Sequence, residues 1–315
     1  MPSRRIASFI AIVGVLAAAA PAAGAATSLP LPTSMAAVGD SITQAASSAG
    51  SLGVDAPQNS WSTGTNTTVA SHAQRLQALG ATMTVANRSV SGAKMADLQG
   101  QMTTVVALQP DYLTVLIGGN DLCTDTVAQM TAVSDFQAQF QAAMATLATG
   151  SPDTDVLVAS VPDAYRLWDL FKSNTWARIV WSAGDICQSL LANPGSTQAA
   201  DVQRRAAVRQ RNIDYNAVLA SVCASYARCR FDGNAVFDTA FARSDVSGDY
   251  FHPSVAGQAK IAAATWAAGY AWFVEPPVLE PVWVGGLTAS TTVVRSNWTA
   301  TVTIAVASAD GPAAG

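Results

Sequence analysis

The stretch DYLTVLIG, residues 111–118, is the clearest buried strand in the sequence. Its apolar residues form an almost continuous run, which is typical of a strand covered on both faces. Shorter runs of the same kind occupy residues 35–39, 82–87 and 155–162. Segments with helical periodicity separate these runs. Strands that alternate with helices predict an α/β fold with a parallel sheet covered by helices on both faces.

The intervening helices are predicted from apolar residues that recur every three or four positions. Ser134 is a candidate N-cap for the helix that follows the strongest strand. The predicted helices cover residues 67–80, 94–108, 134–148, 199–226 and 254–273.

The composition sets broad limits on fold and partners. The chain has 315 residues, of which half are hydrophobic and 12% are charged, so it can bury a large core in one or two domains. The formal net charge is −4, and the sequence contains no basic patch. Nucleic acid and anionic membrane surfaces are therefore poor candidates as partners.

The first 25 residues have the features of a secretory signal peptide. The basic start MPSRR precedes an apolar run at residues 6–20, and small residues offer a cleavage site after Ala25. A membrane anchor is the alternative, but the run is short for a span and no stop-transfer flank follows. We expect a secreted, extracellular protein with no stable membrane insertion after removal of the signal.

The number of cysteines, which is four, is relevant to whether the protein is exported. An even number of cysteines in an exported chain predicts two disulfides, for which three pairings are possible. We favour Cys123–Cys187 and Cys223–Cys229, because the second pair closes a short loop after a helix. A zinc site is the competing interpretation. The chain has no C-x-x-C motif and only two histidines, so no metal is expected.

The amino-acid composition and pattern of the sequence change after Phe273. Residues 274–282 form a proline-rich linker, and residues 297–306 alternate apolar and polar side chains as a β-strand does. Residues 274–315 thus predict a linker and a partial, immunoglobulin-like β segment. A complete sandwich needs about 100 residues. The sequence leaves open whether the gene product is incomplete or these strands pack elsewhere.

Three short stretches place polar or glycine residues just after predicted strands, where α/β sheets form their sites. VGDSIT places Ser41 at the start of a predicted helix, NRSVSGAKM contains Gly92, and IGGNDLC contains Asn120. A helix N-terminus, a glycine N–H and a side-chain amide can all stabilise an oxyanion. Each residue also has a plainer interpretation as an N-cap serine, a turn glycine or a turn asparagine. Asp121 is expected to hold its loop.

The fourth stretch, SGDYFHPSVAG at residues 247–257, contains Asp249 and His252. An acid three residues before a histidine can fix the imidazole tautomer, and the other ring nitrogen can then accept a proton from a serine. A satisfied structural histidine is the alternative. The only other histidine, His72, lies in a predicted helix among polar neighbours. We expect His72 on a solvated helix face.

These four stretches, in this order, resemble the blocks of the SGNH hydrolases, also called the GDSL esterase/lipase family. The resemblance covers residues 35–273, and Ile42 stands where the family name has leucine. The stretch at residues 59–64, together with NDLC, is similar to the phospholipase B-like branch. The residues that match the family's serine, glycine, asparagine, histidine and catalytic aspartate are Ser41, Gly92, Asn120, His252 and Asp249.

The resemblance implies a three-layer α/β/α sandwich with a flavodoxin-like sheet, here residues 34–273. It also implies that Ser41, Asp249 and His252 are catalytic and that Ser41, Gly92 and Asn120 form the oxyanion hole. The implied enzyme is a secreted carboxylic ester hydrolase that acts on ester or lipid molecules and uses no cofactor. The alternatives are a binding or wall-attachment protein with an inert hydrolase-like domain, and a polysaccharide deacetylase or acyltransferase of the same fold. The oligomeric state stays open.

Two further segments keep two interpretations each. Trp61 either lines the acyl pocket or packs a surface loop. Residues 164–181 are rich in aromatic and basic side chains. They form either a lipid-facing rim or the core face of a helix pair.

Overall fold

The structure of the protein is a computed structural model that describes residues 28–274 and the backbone of residues 283–294, 297–308 and 311–312. The predicted signal peptide at residues 1–25 lies outside the described residues, as do residues 275–282 of the predicted linker. Two compact units are present, and they divide between Phe273 and Val274.

A five-stranded parallel sheet forms the centre of the first unit, in the order β3-β2-β4-β5-β6. This is the strand order of the flavodoxin-like fold, so the predicted fold class is confirmed. The predicted strand at residues 111–118 is β4, and all five of its residues are buried. The strands of this sheet are β2 (Ser34–Gly39), β3 (Thr84–Asn87), β4 (Tyr112–Leu116), β5 (Asp155–Val158) and β6 (Cys229–Phe231).

The register of the sheet determines where a site can form. β2 pairs with β3 on one side and with β4 on the other, with Gly39 opposite Leu116. The carboxyl ends of β2 and β4 therefore lie side by side, at the point where the chain switches from one half of the sheet to the other. Parallel α/β sheets bind their ligands in the crevice that opens at such a point.

Helices cover both faces of the sheet and make it the middle of three layers. Alternate residues of β4 belong to different clusters: Leu113 and Val115 pack in the core under α2, α4 and α8, while Tyr112 packs with Leu76 of α1 on the other face. The helices are α1 (His72–Ala78), α2 (Leu98–Val106), α3 (Gly119–Leu122), α4 (Val133–Gly150), α5 (Ala164–Phe171), α6 (Thr175–Ala183), α7 (Gln188–Leu191), α8 (Ala199–Cys223) and α9 (Val255–Ala268).

The start of α4 differs from the prediction. The N-cap is Ala132, whose backbone is extended, and the helix begins at Val133. Ser134 therefore lies inside the first turn and does not cap the helix, so the predicted N-cap is wrong. Ala132 offers no side-chain oxygen, and no side-chain hydrogen bond closes this end.

Two disulfides join Cys123 to Cys187 and Cys223 to Cys229, which is the pairing that the sequence favours. The first ties the segment after α3 to the residue before α7. The second ties the end of α8 to the start of β6. Disulfides persist in oxidising compartments, so both are compatible with a secreted protein.

Within the part of the chain that the structure describes, no helix is both long and apolar enough to cross a membrane.

Two smaller sheets complete the described structure. In the first unit, β1 (Ser28–Pro30) pairs in parallel with β7 (Ala271–Phe273). In the second unit, β8 (Trp283–Val294), β9 (Asn297–Ser308) and β10 (Gly311–Pro312) form an antiparallel sheet in the order β10-β9-β8. The alternating sequence of residues 297–306 lies in β9, as a strand prediction requires.

Candidate active site

The strand β2 ends at a glycine that the packing requires. Gly39 has φ +144°, and a Cβ at this position would lie 2.1 Å from the carbonyl oxygen of Leu116. The side chain of Gln101 accepts a hydrogen bond from the Gly39 N–H at 2.8 Å and donates one to its carbonyl at 2.8 Å. Only glycine allows β2 to end so close to β4. This close approach sets the position of Asp40 and Ser41.

Residues 41–49 form a series of turns and not the predicted helix. Ala45 and Ser47 have φ values of +51° and +63°, in the left-handed region, which a right-handed helix excludes. Ser41 therefore lies in a tight turn at the end of β2 and not at a helix N-terminus.

Ser41, His252 and Asp249 form a continuous row of hydrogen bonds. The Oγ of Ser41 lies 2.9 Å from Nε2 of His252, and Nδ1 of His252 lies 2.6 Å from Oδ2 of Asp249. A carboxylate on Nδ1 fixes the tautomer in which Nε2 has a free lone pair. In this geometry Nε2 can accept the proton of the Ser41 hydroxyl, which is the arrangement that activates a serine for nucleophilic attack.

Asp249 is held as a carboxylate by its surroundings. Burial would raise the pKa of Asp249, but hydrogen bonds from His252 and Ser47 outweigh burial, and the pKa lies below its ordinary value. The backbone N–H groups of Phe251 and His252 both donate to Oδ1 at 3.0 Å. The four-residue turn thus fixes the carboxylate from its own backbone and keeps it ionised beside the imidazole.

Ser47 is a site residue that the sequence analysis missed. Its buried hydroxyl donates to Oδ2 of Asp249 at 2.5 Å, and its oxygen accepts the N–H of Gly53 at 2.8 Å. It therefore orients the same carboxylate oxygen that faces His252. Ser47 and Asp249 are 202 residues apart, and SSAG around Ser47 is an ordinary loop sequence, so no local signal could have found this contact.

Asp40 lies next to the serine and is almost fully buried. Burial raises the pKa of Asp40 to about 7, against the hydrogen bond from the Ile42 N–H and the attraction of His252. Its Oδ1 accepts that N–H at 2.9 Å, whereas Oδ2 has no hydrogen-bond partner within residues 28–274. At neutral pH this carboxyl is therefore only partly ionised, which limits the negative charge beside Ser41.

The predicted oxyanion donors differ in how directly the structure places them. Asn120 lines the same cleft as Ser41. Its amide donates one hydrogen to the carbonyl of Ala93 at 2.9 Å, and a second amide hydrogen remains. Gly92 directly precedes Ala93, so the Asn120 bond ties its loop to the cleft. In the described region, the N–H groups of Ser41 and Gly92 have no backbone or side-chain acceptor.

Gly92 has φ +83°, in the left-handed region that glycine adopts without strain. The loop that contains it is also tied to the turn after Ser41. The side chain of Gln44 donates to the carbonyl of Ser89 at 2.5 Å, and that of Asn87 donates to the carbonyl of Thr43 at 3.1 Å. The loops after β2 and β3 thus hold each other in place.

Asp121 holds its loop, as expected. Its carboxylate accepts the N–H of Met95 at 2.9 Å and the hydroxyl of Thr131 at 2.6 Å. Burial raises the pKa of Asp121 despite these bonds. The buried side chain connects the segments after β3 and β4.

A cleft of about 110 Å³ opens beside Ser41. The volume is small, since an engineered apolar cavity of roughly 150 Å³ holds one benzene molecule. Part of the predicted aromatic and basic segment faces the cleft, since α5 contributes Ala164, Arg166, Leu167 and Leu170 to its lining. The larger apolar side chains of the lining are Ile42, Leu122, Val161, Leu167, Leu170, Phe241, Val246 and Phe251.

Some of the other aromatic and apolar side chains of residues 164–181 are buried in the core, and some are exposed to solvent. Trp168, Phe171 and Trp181 are buried in the core, whereas Trp176 and Ile179 of α6 are exposed. Trp61 agrees with the packing interpretation and not with the acyl-pocket one, because it is buried against Val69 and Leu116. It is fully buried, does not line the cleft, and donates its indole N–H to Thr43 at 3.2 Å.

The expectation for His72 is wrong, because this residue is buried. It is the first residue of α1, and Ser71 caps the helix. Its Nδ1 lies 2.9 Å from the hydroxyl of Tyr112, and its Nε2 lies 2.8 Å from the hydroxyl of Thr265. Burial lowers the pKa of His72 to about 3, so the ring is neutral. The neighbours that bury it come from β4 and α9, which its local sequence does not reveal.

No cluster of three or more potential metal-ligating side chains occurs among the described residues.

The fold and the site together define a class: hydrolases with a parallel α/β/α sheet and a hydrogen-bonded serine, histidine and aspartate. The sequence model of the GDSL-like lipase/acylhydrolase family matches residues 37–260. This range is more than half of the chain and contains Ser41, Gly92, Asn120, Asp249 and His252. The chain therefore belongs to the GDSL-like lipase/acylhydrolase family. A comparison with curated proteins gives no match.

The chain is also similar to solved structures at low sequence identity. The lipase Lip_vut3 from a goat rumen metagenome is 13% identical, with 75% of this chain and 97% of that chain covered and a TM-score of 0.50. An extracellular lipase from Streptomyces rimosus is 17% identical over 75% and 99% of the two chains, with a TM-score of 0.46. A Clostridium thermocellum family 3 carbohydrate esterase is 15% identical over 75% and 94%, with a TM-score of 0.45.

Proposed function

We propose that residues 34–273 form a secreted carboxylic ester hydrolase that works through an acyl-enzyme on Ser41. The observation that carries this proposal is the row of hydrogen bonds from Ser41 through His252 to Asp249 at the mouth of an apolar cleft. Family membership supports hydrolysis of an ester. Residues 274–315 are proposed to be an accessory segment.

The first half of the reaction transfers the acyl group to the enzyme. Nε2 of His252 takes the proton of Ser41 as Oγ attacks the ester carbonyl carbon. The N–H groups of Ser41 and Gly92 and the free amide hydrogen of Asn120 are proposed to bind the resulting oxyanion. The tetrahedral intermediate collapses, and His252 gives its proton to the leaving alcohol.

The second half repeats these roles with water. His252 takes a proton from a water molecule, which attacks the acyl-serine, and the acid leaves as Ser41 regains its proton. Asp249 stays ionised throughout, which agrees with its lowered pKa. It stabilises the imidazolium that forms in both halves.

The small volume of the cleft supports short acyl groups as substrates. A cleft of about 110 Å³ holds a short chain more readily than a long fatty acid. The same observation supports the second candidate, removal of acetyl groups from polysaccharides. Both candidates use the same residues and the same chemistry.

The test is a series of p-nitrophenyl esters from acetate to palmitate, with wild type, Ser41→Ala and Ser48→Ala. Ser48 is a matched control, because it lies in the same turn segment and donates to Ala45 and not to the catalytic row. We expect turnover that requires Ser41 and falls as the chain lengthens.

Other outcomes of the series separate the remaining alternatives. Turnover by Ser41→Ala at the wild-type rate would contradict the serine mechanism. A maximum at palmitate would contradict the short-chain preference. If no ester is hydrolysed, acetylated polysaccharide becomes the next substrate. Failure there as well would favour an inert domain in a binding protein.

A further inference from the structure

Arg166 is a cation in the lining of the cleft that also contains Ser41. It lies on α5, and its Nε donates to the carbonyl of Phe241 at 3.1 Å. This bond fixes the base of the guanidinium group. The two terminal nitrogens have no acceptor within residues 28–274, and the residue is exposed. Both terminal nitrogens are therefore free to donate hydrogen bonds to a ligand.

The other charged groups in the lining are compensated. Asp163 pairs with Arg209 at 2.8 Å, and Asp245 is buried and pairs with Lys260 at 2.6 Å. Burial raises the pKa of Asp40 to about 7, so its charge is only partial. In the described part of the chain, no carboxylate lies within 4.0 Å of Arg166. The local excess charge in the cleft is therefore positive.

We propose that this cleft prefers esters that carry an anionic group, a carboxylate or a phosphate, and that Arg166 binds this group. A guanidinium matches both anions with two parallel N–H donors. The rest of the lining is mainly apolar and takes the hydrocarbon part. The protein as a whole has a net charge of −4, so attraction of an anion has to come from a local cation. This inference rests on the proposed ester hydrolysis and names its substrate class.

The anion can belong to either half of the ester, and two matched pairs of substrates separate these cases. Ethyl butyrate and monoethyl succinate differ by a carboxylate in the acyl half. Glycerol monobutyrate and its phosphate monoester differ by a phosphate in the alcohol half. The rate of hydrolysis is measured by product analysis at a low and a high ionic strength for wild type, Arg166→Gln, Arg166→Lys and Arg178→Gln.

Arg178→Gln is the matched control, because it removes one exposed arginine from the neighbouring helix α6 outside the cleft lining. We expect Arg166→Gln to lower the ratio of kcat/KM for the anionic over the neutral member by roughly three- to tenfold in one pair, mainly through KM. Arg166→Lys keeps the charge but lacks the paired donors. Its ratio of kcat/KM is expected to lie between those of wild type and Arg166→Gln. The control leaves the ratio unchanged, and added salt weakens the wild-type preference.

An unchanged ratio for Arg166→Gln in both pairs would overturn the proposal. So would an equal fall in Arg178→Gln, because the effect would then come from the overall charge. If even the neutral esters show no turnover that depends on Ser41, the proposed function fails first. Calorimetric binding of monoethyl succinate and glycerol phosphate to wild type and Arg166→Gln then tests anion recognition alone. The proposal would be overturned if, for each of the two ligands, wild type and Arg166→Gln bound equally well or did not bind at all.

Discussion

The two histidines of this protein each have a hydrogen-bond partner on both ring nitrogens, but they differ in the charge of those partners and in their exposure. Both ring nitrogens of His72 face hydroxyl groups, those of Tyr112 and Thr265. One nitrogen of His252 faces the Asp249 carboxylate and the other faces Ser41. His72 is 1% exposed, whereas the side chain of His252 is 15% exposed beside a cleft.

The comparison shows which features a proton-transfer site needs. Burial disfavours the imidazolium form of His72, the charge of Arg75 adds to this, and the pKa falls to about 3. The hydroxyl partners of His72 carry no negative charge that could offset these effects. The carboxylate of Asp249 can stabilise the charge that His252 acquires in the reaction. A hydrogen bond on each nitrogen is therefore insufficient. The charge of the partner and access to a substrate separate the proposed base, His252, from the core residue, His72.

The largest expected effect is on catalysis at His252. His252→Ala removes the proton acceptor of Ser41, and kcat is expected to fall by about 10⁴-fold or more. The variant should stay folded with a lower melting temperature, because the buried Asp249 carboxylate loses the hydrogen bond from His252. A melting temperature and a rate on the same sample check both points. A loss of less than tenfold would show that another group acts as the base.

The mirror experiment is His72→Ala, which should affect stability and leave the chemistry alone. It removes two buried hydrogen bonds and the aromatic contacts with Trp61 and Trp266. We expect a loss of about 3 kcal/mol in the free energy of unfolding, measured by denaturant titration. The kcat well below the melting temperature should match wild type. A large fall in kcat of the folded variant would contradict the comparison.

Acid should destabilise the protein partly through His72. The pKa of His72 is about 3 in the folded state and about 6.5 unfolded, so the unfolded chain binds a proton first as the pH falls. Stability from this group is complete above pH 6.5 and is lost below it, by about 2 kcal/mol between pH 6.5 and 5.

Asp40 works in the opposite direction, because its pKa is raised to about 7 and the folded state gains from its protonation. The measurement therefore compares wild type with His72→Asn at each pH. The difference in unfolding free energy should shrink as the pH falls from 6.5 to 5. A constant difference would show that His72 does not titrate in unfolding.

The smallest expected effect is on kcat when the Asp249 carboxylate, which distinguishes His252 from His72, loses one hydrogen bond. Ser47→Ala removes one hydrogen bond to Asp249 and should lower kcat by roughly tenfold with little change in KM. Ser48→Ala, in the same loop, is the control, because its hydroxyl donates to Ala45. Equal rates for Ser47→Ala and wild type would mean that the backbone donors of the turn suffice to orient Asp249.

The sequence predicted those parts of the protein that depend on neighbouring residues. The buried run of β4 and the alternation of strands and helices define the sheet, and the site residues follow strand ends or lie in one short turn. Their catalytic roles stay predictions until the variants are measured.

The parts that sequence analysis missed depend on contacts between distant segments. His72 is buried by Thr265, which lies 193 residues away, and Ser47 reaches Asp249 across 202 residues. The polar neighbours of His72 indicated an exposed helix, but β4 and α9 cover its ring. Ser47 adopts a left-handed backbone that its sequence does not require. Packing decided these positions, and local patterns contain no information about it.

The row from Ser41 to Asp249 has a consequence for the order of folding. The acid and the base lie three residues apart and can meet as soon as their turn forms, but Ser41 is 211 residues from His252. Closing so long a loop is entropically costly and slow. During refolding, recovery of turnover should therefore follow the recovery of helical signal. Turnover reports only the molecules in which Ser41 has already reached His252.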